Sequence, residues 1–170
     1  MGHSLGKFVS IDMSNVKTDA DKSIKFLTNT LKSRSSIRNK IVVCLGEEHG
    51  NKVDMAITRE LLLKPPIISK GRSRVIFERG LDKLYTSSSV FKADKIEDSD
   101  LGMNKRKRST RIAKKIQDDF ENDIDVVYVP CGSAHAKEIY DDLSSKCKTP
   151  FTYFCKMSST DSTDKDTKGG

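Results

Sequence analysis

Short runs of apolar residues, each next to a stretch with helical spacing, set the strongest limit on the fold of this chain. Four runs have the length and composition of β-strands, at residues 41–45, 74–78, 125–131 and 151–155. They are continuous rather than alternating in polarity, which is typical of strands in a sheet covered on both faces. The pattern predicts an α/β fold in a single domain, with a mostly parallel central sheet of about four or five strands and helices on both faces.

Helical spacing predicts four helices, at residues 18–31, 54–63, 105–122 and 134–146, and the second of them ends before Pro65 and Pro66. Residues 82–104 are polar and predict a long connection or a partly ordered flap. We expect residues 1–10 to be a tag or disordered leader, residues 11–157 to be the domain and residues 158–170 to be a disordered tail.

Both histidines of the predicted domain stand in a Gly-x-x-His frame directly after a predicted strand. The first frame is Gly46-Glu47-Glu48-His49, and the second is Gly132-Ser133-Ala134-His135. Glu78 ends a third predicted strand. Because ligands of parallel α/β sheets gather at the carboxyl ends of the strands, we expect His49, Glu78 and His135 to meet at one edge.

These motifs resemble those of a known group of proteins. Residues 42–50 (VVCLGEEHG), 59–62 (RELL) and 75–78 (VIFE) resemble the opening of the erythromycin-esterase-like and ChaN-like superfamily. Residues 127–135 (VYVPCGSAH) resemble the second Gly-x-x-His block of the related Tiki, TraB and PrgY proteins. The resemblance covers residues 41–135 and implies an α/β fold with hydrolase activity. Among these proteins, the Tiki members resemble metal-dependent proteases. Matched by position, it carries over Glu47, His49, Glu78 and His135 as catalytic residues.

The residue types suit such chemistry. Two imidazoles and a carboxylate, here His49, His135 and Glu78, can bind a divalent ion such as Mn, Co, Fe or Zn. The ion would lower the pKa of a bound water, and Glu47 could accept its proton. Without a metal, His49 could act as the general base on water, oriented by Glu47 or Glu78.

The small residues of the two frames are candidates for binding the substrate through the backbone. Gly46 and Gly132 allow a sharp exit from a strand and a close backbone approach. With Ser133 they lie where the next helix begins, so their amides could bind a substrate anion. Each carboxylate also has a purely structural alternative. Glu47 could stabilise the N-terminus of a helix through the helix dipole, and Glu78 could form an ion pair with Arg79.

A basic segment explains the net charge of +7. It consists of Lys105, Arg106, Lys107, Arg108, Arg111, Lys114 and Lys115. We interpret it as a solvated helix face next to an anionic membrane surface or a protein partner. Nucleic acid is less favoured, because no aromatic residue interrupts the run to stack on bases.

Three hypotheses for function follow. The leading one is a hydrolase of peptide or ester bonds, with a metal-dependent mechanism favoured and a water activated by Glu47, His49, Glu78 and His135. The second is a non-catalytic toxin or effector domain that binds an anionic membrane or a protein partner through the basic segment. The third is a metal-free esterase with His49 as the general base.

The four cysteines and the hydropathy restrict the setting in which the chain works. Cys44 and Cys131 fall within predicted strands, and the cysteine spacing matches no zinc motif, so we expect reduced thiols. No stretch approaches the roughly 20 apolar residues of a membrane helix, and no leader resembles a signal peptide. We therefore expect a soluble protein, with a reducing compartment favoured, or a piece of a longer secreted or delivered protein.

Overall fold

The computed structural model describes residues 5–35, 39–78, 80–85, 90–95 and 105–160. These residues form an α/β domain whose elements follow in the order β1 (Gly6–Ile11), α1 (Ala20–Arg34), β2 (Lys40–Glu47), α2 (Lys52–Leu63), β3 (Ser73–Phe77), α3 (Asp82–Tyr85), β4 (Lys92–Lys95), α4 (Lys105–Glu121), β5 (Val126–Gly132), α5 (Ser133–Lys146) and β6 (Phe151–Lys156). All neighbouring strands are parallel, in the order β1-β6-β2-β5-β3-β4. The predicted α/β class with a parallel sheet is confirmed, and the described residues contribute six strands to that sheet.

The helices cover both faces of the sheet, as continuous apolar strands require. Val43 and Leu45 of β2 pack in a core with side chains of α1, α2 and α3, whereas Val42 and Cys44 pack in a second core with α4 and α5. This alternation follows from the two-residue period of a strand, which sends successive side chains to opposite faces. Burial on both faces therefore explains why the β2 sequence is apolar at every position from Ile41 to Leu45.

The first strand, β1, corrects the predicted leader. Residues 6–11 pair in register with β6 at the edge of the sheet, so residues 6–10 belong to the domain. Gly6 is required by packing, because a Cβ there would lie 2.3 Å from the ring of Phe151. Lys7 and Ser10 interrupt the apolar pattern of this edge strand, which is why the sequence did not predict it.

The predicted connection at residues 82–104 contains regular structure in its described part. Asp82–Tyr85 is one helical turn, and Lys92–Lys95 is an edge strand paired with β3. The strand sequence, Lys-Ala-Asp-Lys, has no apolar run, so its pairing depends on its neighbours. Buried Phe91 stacks on Tyr128 at 5.0 Å between ring centroids and anchors the segment. Residues 86–89 and 96–104 lie outside the described residues.

The tail was predicted to begin at residue 158, which is too early. Ser158 is buried and hydrogen-bonded to Asp54 of α2, so residues 158–160 pack against the domain. Residues 161–170 lie outside the described residues. Within the described part of the chain, all four cysteines are buried and form no disulfide, as predicted, and no helix is both long enough and apolar enough to cross a bilayer.

The chain leaves neighbouring strands toward opposite faces near the middle of the sheet. β2 and β3 lead into α2 and α3 on one face, whereas β5, which lies between them, leads into α5 on the other face. Ligands of parallel α/β sheets bind beyond the carboxyl ends of strands at such a divergence. We call the ends of these three strands, marked by Glu47, Glu78 and Gly132, the central carboxyl edge.

Candidate functional site

Glu78 and His135 form the best-defined polar contact at the central carboxyl edge. Glu78 directly follows β3, and His135 lies in the first turn of α5, directly after β5. His135 Nε2 lies 2.9 Å from Glu78 Oε1, and both side chains are largely buried, with 8% and 13% of their surface exposed. The structure therefore brings together two of the four predicted catalytic residues, which are far apart in sequence.

The second Gly-x-x-His frame encloses the Glu78 carboxylate from two sides. The Gly132 amide donates a hydrogen bond of 2.6 Å to Oε2, while His135 contacts Oε1. Gly132 is the N-cap of α5 and offers no side chain to cap the helix. A carboxylate at a helix N-terminus is stabilised by the helix dipole, so Glu78 does what a capping side chain would do.

The surroundings of Glu78 favour its ionised form. Burial raises the pKa of this carboxyl group, but the hydrogen bonds from His135 and Gly132, followed by the charge of Arg108, outweigh burial and lower the pKa below its usual 4.5. Arg108 Nη1 lies 3.9 Å from Glu78 Oε1. An ionised carboxylate only accepts hydrogen bonds, so His135 Nε2 must carry the proton between them.

Ser109 of α4 completes a chain of three polar side chains. Its hydroxyl oxygen lies 2.9 Å from His135 Nδ1, on the side of the imidazole ring opposite Glu78. Both ring nitrogens of His135 are thus in contact with protein oxygens. Ser109 and His135 are both buried, whereas Glu78 keeps 13% of its side-chain surface exposed, so the chain opens to solvent at the Glu78 end.

Glu47 belongs to a separate polar cluster. It ends β2 opposite Gly132 in the register of the sheet, but its side chain contacts the helices of the α2 and α3 face. Oε2 accepts hydrogen bonds from Thr58 Oγ1 at 3.0 Å and from Tyr85 Oη at 2.9 Å. Burial raises the pKa of Glu47 above its usual 4.5, although the hydrogen bonds from Tyr85 and Thr58 oppose this shift.

We expect the free energy of unfolding of Glu47→Gln, relative to that of the wild type, to increase as pH rises. A carboxyl group whose folded-state pKa is raised stabilises the fold fully below its unfolded-state pKa, and this stabilisation is lost as pH rises through the folded-state pKa. Glutamine stays neutral and can still accept both hydrogen bonds. Urea unfolding of both proteins from pH 4 to pH 8 would measure the difference. A difference that is constant over this range would contradict the raised pKa.

His49 does not join the other predicted residues. It lies in the turn between β2 and α2, where its side chain is exposed to solvent. Gly46 of the same frame is needed for packing rather than for substrate approach, because a Cβ there would lie 2.7 Å from the carbonyl oxygen of Lys156. The two histidines therefore differ in environment, since His135 is buried among polar side chains and His49 is exposed.

Buried ionic contacts connect the first frame to the last strand. Lys156 Nζ donates to Gly46 O at 2.9 Å and to Asp54 Oδ1 at 2.8 Å, and both charged side chains are fully buried. Asp54 also accepts from the Glu48 amide at 3.0 Å and from the Ser158 hydroxyl at 2.7 Å. This cluster fixes the β2–α2 turn against the end of β6 and explains the burial of a lysine.

Ser133 has a contact within the protein rather than an open position. Its hydroxyl oxygen accepts a hydrogen bond of 2.7 Å from the Ser158 amide, just beyond β6. The residue lies between Gly132, which binds Glu78, and the chain segment that follows Lys156. Ser133 thus supports the same edge of the sheet, where the sequence predicted a substrate contact.

The predicted metal ligands do not fit an ion in their observed positions. Glu78 and His135 are adjacent, but both nitrogens of His135 are engaged by Ser109 and Glu78, and His49 is exposed in a separate turn. Within the described ranges, no group of three or more His, Cys, Asp or Glu side chains could hold a metal ion. We therefore derive no step of a reaction through a metal at this site.

The basic segment divides into inward and outward side chains. Arg106 pairs with Asp142 and, at 3.6 Å, with Glu138 of α5, and Arg108 approaches Glu78. Arg106 is nevertheless exposed, as are Lys107, Arg111 and Lys114, of which Lys114 lies 3.5 Å from Asp118; Lys115 is partly buried. Lys105 begins α4, and its side chain is not described. Part of the predicted solvated face therefore contributes to the contact between α4 and α5.

A surface cavity of about 350 Å³ lies away from the predicted site residues. It is lined by α1 side chains such as Ile24 and Thr28, and by Leu61 and Pro65 around the end of α2. None of the titratable groups of the central carboxyl edge contributes to it. The central carboxyl edge is the better candidate for a functional site, because ionisable side chains with shifted pKa values are more typical of such a site than cavity volume alone.

Ser109, Asp54 and Lys156 take part in the buried polar contacts but were not predicted from the sequence. One of them could have been found from its spacing. Ser109 continues the apolar stripe of Ile112, Ala113, Ile116 and Phe120 at helical intervals, which predicts that it faces the core. Lys156 directly follows a predicted strand and gave no comparable signal, because lysines at strand ends are usually exposed.

Comparison with protein-family models, with curated proteins and with solved structures finds no match to this chain. The resemblance of residues 41–135 to the erythromycin-esterase-like, ChaN-like and Tiki superfamily therefore stays a prediction from its motifs.

Proposed function

We propose that this protein is a hydrolase that cleaves ester or peptide bonds at the central carboxyl edge. The observation that supports this most strongly is the contact of 2.9 Å between His135 Nε2 and Glu78 Oε1. It joins a strand end and a helix start at the edge where parallel α/β sheets bind ligands. The motif resemblance, which includes both residues, favours the same reaction class.

Two carboxyl groups with oppositely shifted pKa values support an acid–base mechanism. The pKa of Glu47, which pairs with Gly132 in the register of the sheet, is raised, and the pKa of Glu78, which accepts from the Gly132 amide, is lowered. Such a pair commonly divides the tasks of proton transfer and charge stabilisation. In our proposal Glu47 exchanges a proton with the attacking water or the leaving group, and ionised Glu78 orients His135 and stabilises positive charge on its ring.

Hydrolysis should persist after metal removal, because the observed contacts of His135 leave no nitrogen for a metal. The purified chain would be dialysed against EDTA and assayed with p-nitrophenyl acetate, p-nitrophenyl butyrate and a quenched fluorescent peptide library. Parallel samples would receive Mn²⁺, Co²⁺, Fe²⁺ or Zn²⁺, and metal content would be measured by mass spectrometry. We expect the EDTA-treated protein to keep its activity.

Two other results of this assay would be decisive. Activity that appears only with an added ion and disappears in His49→Ala would support the predicted metal centre instead, with His49 moving to His135 and Glu78. Absence of hydrolysis under every condition would contradict the proposed function.

A second candidate function is binding to an anionic surface through α4. Lys107, Arg111 and Lys114 are exposed and follow one another at intervals of four and three residues, which places them on one side of the helix. Such a row of cations suits an anionic membrane surface or an acidic protein partner. Binding to phosphatidylserine vesicles that is lost in a triple glutamine variant, in a chain without hydrolytic activity, would favour this function.

A further inference from the structure

The buried hydroxyl of Ser109 contacts His135 but has no role in the reaction proposed above. We propose that Ser109 is a positioning residue, which hydrogen-bonds Nδ1 of the His135 ring and thereby holds the ring with its Nε2–H directed at Glu78. This inference rests on the proposed function, because it assigns a task to Ser109 within the same site. It concerns a residue outside the predicted motifs.

The contacts on the two sides of the ring determine the tautomer. Glu78 accepts a hydrogen bond from Gly132 N at 2.6 Å and faces Arg108 Nη1 at 3.9 Å, so it stays a carboxylate that can only accept from His135. A neutral ring with hydrogen on Nε2 has a lone pair on Nδ1. The Ser109 hydroxyl, 2.9 Å from Nδ1, can donate to that lone pair.

Burial indicates that Ser109 acts through His135 rather than on a substrate. Its relative exposure is 0%, so no substrate carbonyl can reach the hydroxyl oxygen in this arrangement. A buried Nδ1 without a partner would be unfavourable, and the ring would rotate or exchange tautomers to satisfy it. The hydroxyl satisfies Nδ1 and so holds the plane of the ring, while the carboxylate of Glu78 keeps the hydrogen on Nε2.

The docking of α4 does not depend on this hydroxyl. Ile112 and Ile116 bury the same face of α4 against the sheet and α5. The next residue, Thr110, donates to Asp142 Oδ2 of α5 at 2.9 Å, and Arg106 pairs with the same carboxylate. Removing the Ser109 hydroxyl should therefore change the ring of His135 while leaving the helix in place.

The test compares Ser109→Ala with the matched control Thr110→Ala. Both remove a hydroxyl that links α4 to α5, but only Ser109 touches His135. The ¹⁵N shifts of the His135 ring report the tautomer directly, and hydrolysis is measured from pH 5 to pH 9. In Ser109→Ala we expect a shifted Nδ1 resonance, because that nitrogen loses its hydrogen bond, together with a fall in kcat of about two- to tenfold and a displaced pH profile. Thr110→Ala should keep the wild-type shifts and profile, and Ser109→Thr should restore part of both.

Several outcomes would overturn this role. Identical His135 shifts in wild type and Ser109→Ala, or equal effects of Ser109→Ala and Thr110→Ala, would show that the hydroxyl is only structural. Covalent labelling of Ser109 by a fluorophosphonate would show that it is itself the nucleophile. If the wild type hydrolyses substrate but the shifts do not change, only the role of Ser109 fails. If the wild type hydrolyses nothing, the proposed function fails, whatever the shifts show.

Discussion

Asp54→Ala is expected to destabilise the fold by about 3–5 kcal/mol, the usual effect of leaving one member of a buried ion pair without its partner. The ammonium of Lys156 would remain buried, with Gly46 O as its remaining hydrogen-bond acceptor. The Glu48 amide and the Ser158 hydroxyl would lose their acceptor in the same variant. Urea unfolding followed by circular dichroism would measure the change.

Two further variants separate the effect of the buried charge from general damage. Asp141→Ala removes a carboxylate from the exposed ion pair with Lys137, whose N···O distance of 2.9 Å is close to the 2.8 Å of the buried pair. It should change the free energy of unfolding by at most about 1 kcal/mol. Asp54→Ala combined with Lys156→Met should recover a large part of the loss, because the unpaired ammonium is then absent. A loss below about 1 kcal/mol for Asp54→Ala alone would contradict the importance of the pair.

Acid should weaken the same cluster. Burial raises the pKa of Asp54, but the charge and hydrogen bond of Lys156 together with the backbone donors outweigh it, so the pKa lies below its usual 3.8. A carboxyl group with a lowered folded-state pKa contributes stability above its unfolded-state pKa, and that contribution is lost as pH falls through the folded-state pKa. The contribution of Asp54 is therefore complete near neutral pH and disappears only below about pH 4.

Glu78→Gln is expected to reduce kcat/KM for hydrolysis by about 10²- to 10⁴-fold, the range typical of groups that control proton transfer. The Gly132 amide needs an acceptor, so the glutamine carbonyl oxygen should face Gly132 and its NH₂ group should face His135. The NH₂ group then donates to Nε2 and favours the opposite tautomer of the ring. The variant thus loses both the charge and the orientation of His135 with little change in side-chain volume.

A neighbouring carboxyl group provides the control for this substitution. Glu138 lies on α5, one turn after His135, and pairs with Arg106 at 3.6 Å. Glu138→Gln makes the same chemical change without touching His135. It should keep the wild-type kcat/KM within a factor of about 2 to 3. Equal losses in the two variants would indicate a nonspecific effect of removing charge near α5.

The central part of the fold could be predicted because burial on both faces makes its strands continuously apolar. The strands around Val43, Ile76 and Val129 and the helices between them agree with the predicted ranges within a few residues. The edge strands could not be predicted in this way. β1 mixes Lys7 and Ser10 with apolar residues, and β4 has no apolar run, because an edge strand needs only one partner and can expose part of its surface.

The sequence could predict which residues lie at the carboxyl ends of the strands, but not which of their side chains meet. Glu78 and His135 follow neighbouring parallel strands, so the topology brings them to one edge. Glu47 also lies at that edge, but the two-residue period of β2 turns its side chain toward Thr58 and Tyr85. The spacing of residues in a motif does not predict the direction of such a side chain, because that direction depends on which helix covers each face of the strand.

His49 shows why a repeated frame does not guarantee a repeated environment. In the second frame, α5 begins at Ser133, directly after Gly132, so His135 lies in its first turn and contacts Glu78. In the first frame, α2 begins only at Lys52, so His49 lies in a turn before the helix. This delay in helix initiation leaves His49 exposed, and Asn51 rather than a frame residue caps α2.

The central claim is that His135 of the second Gly-x-x-His frame, together with Glu78, belongs to the reactive site, and that His49 of the first frame does not. The most direct test is kcat/KM for one cleaved substrate in wild type, Glu78→Gln and His49→Ala, with folding of each variant verified by circular dichroism. We expect a loss of about 10²- to 10⁴-fold in Glu78→Gln and a change of at most about threefold in the exposed His49→Ala. Full activity in Glu78→Gln, or a loss in His49→Ala as large as that in Glu78→Gln, would contradict this account.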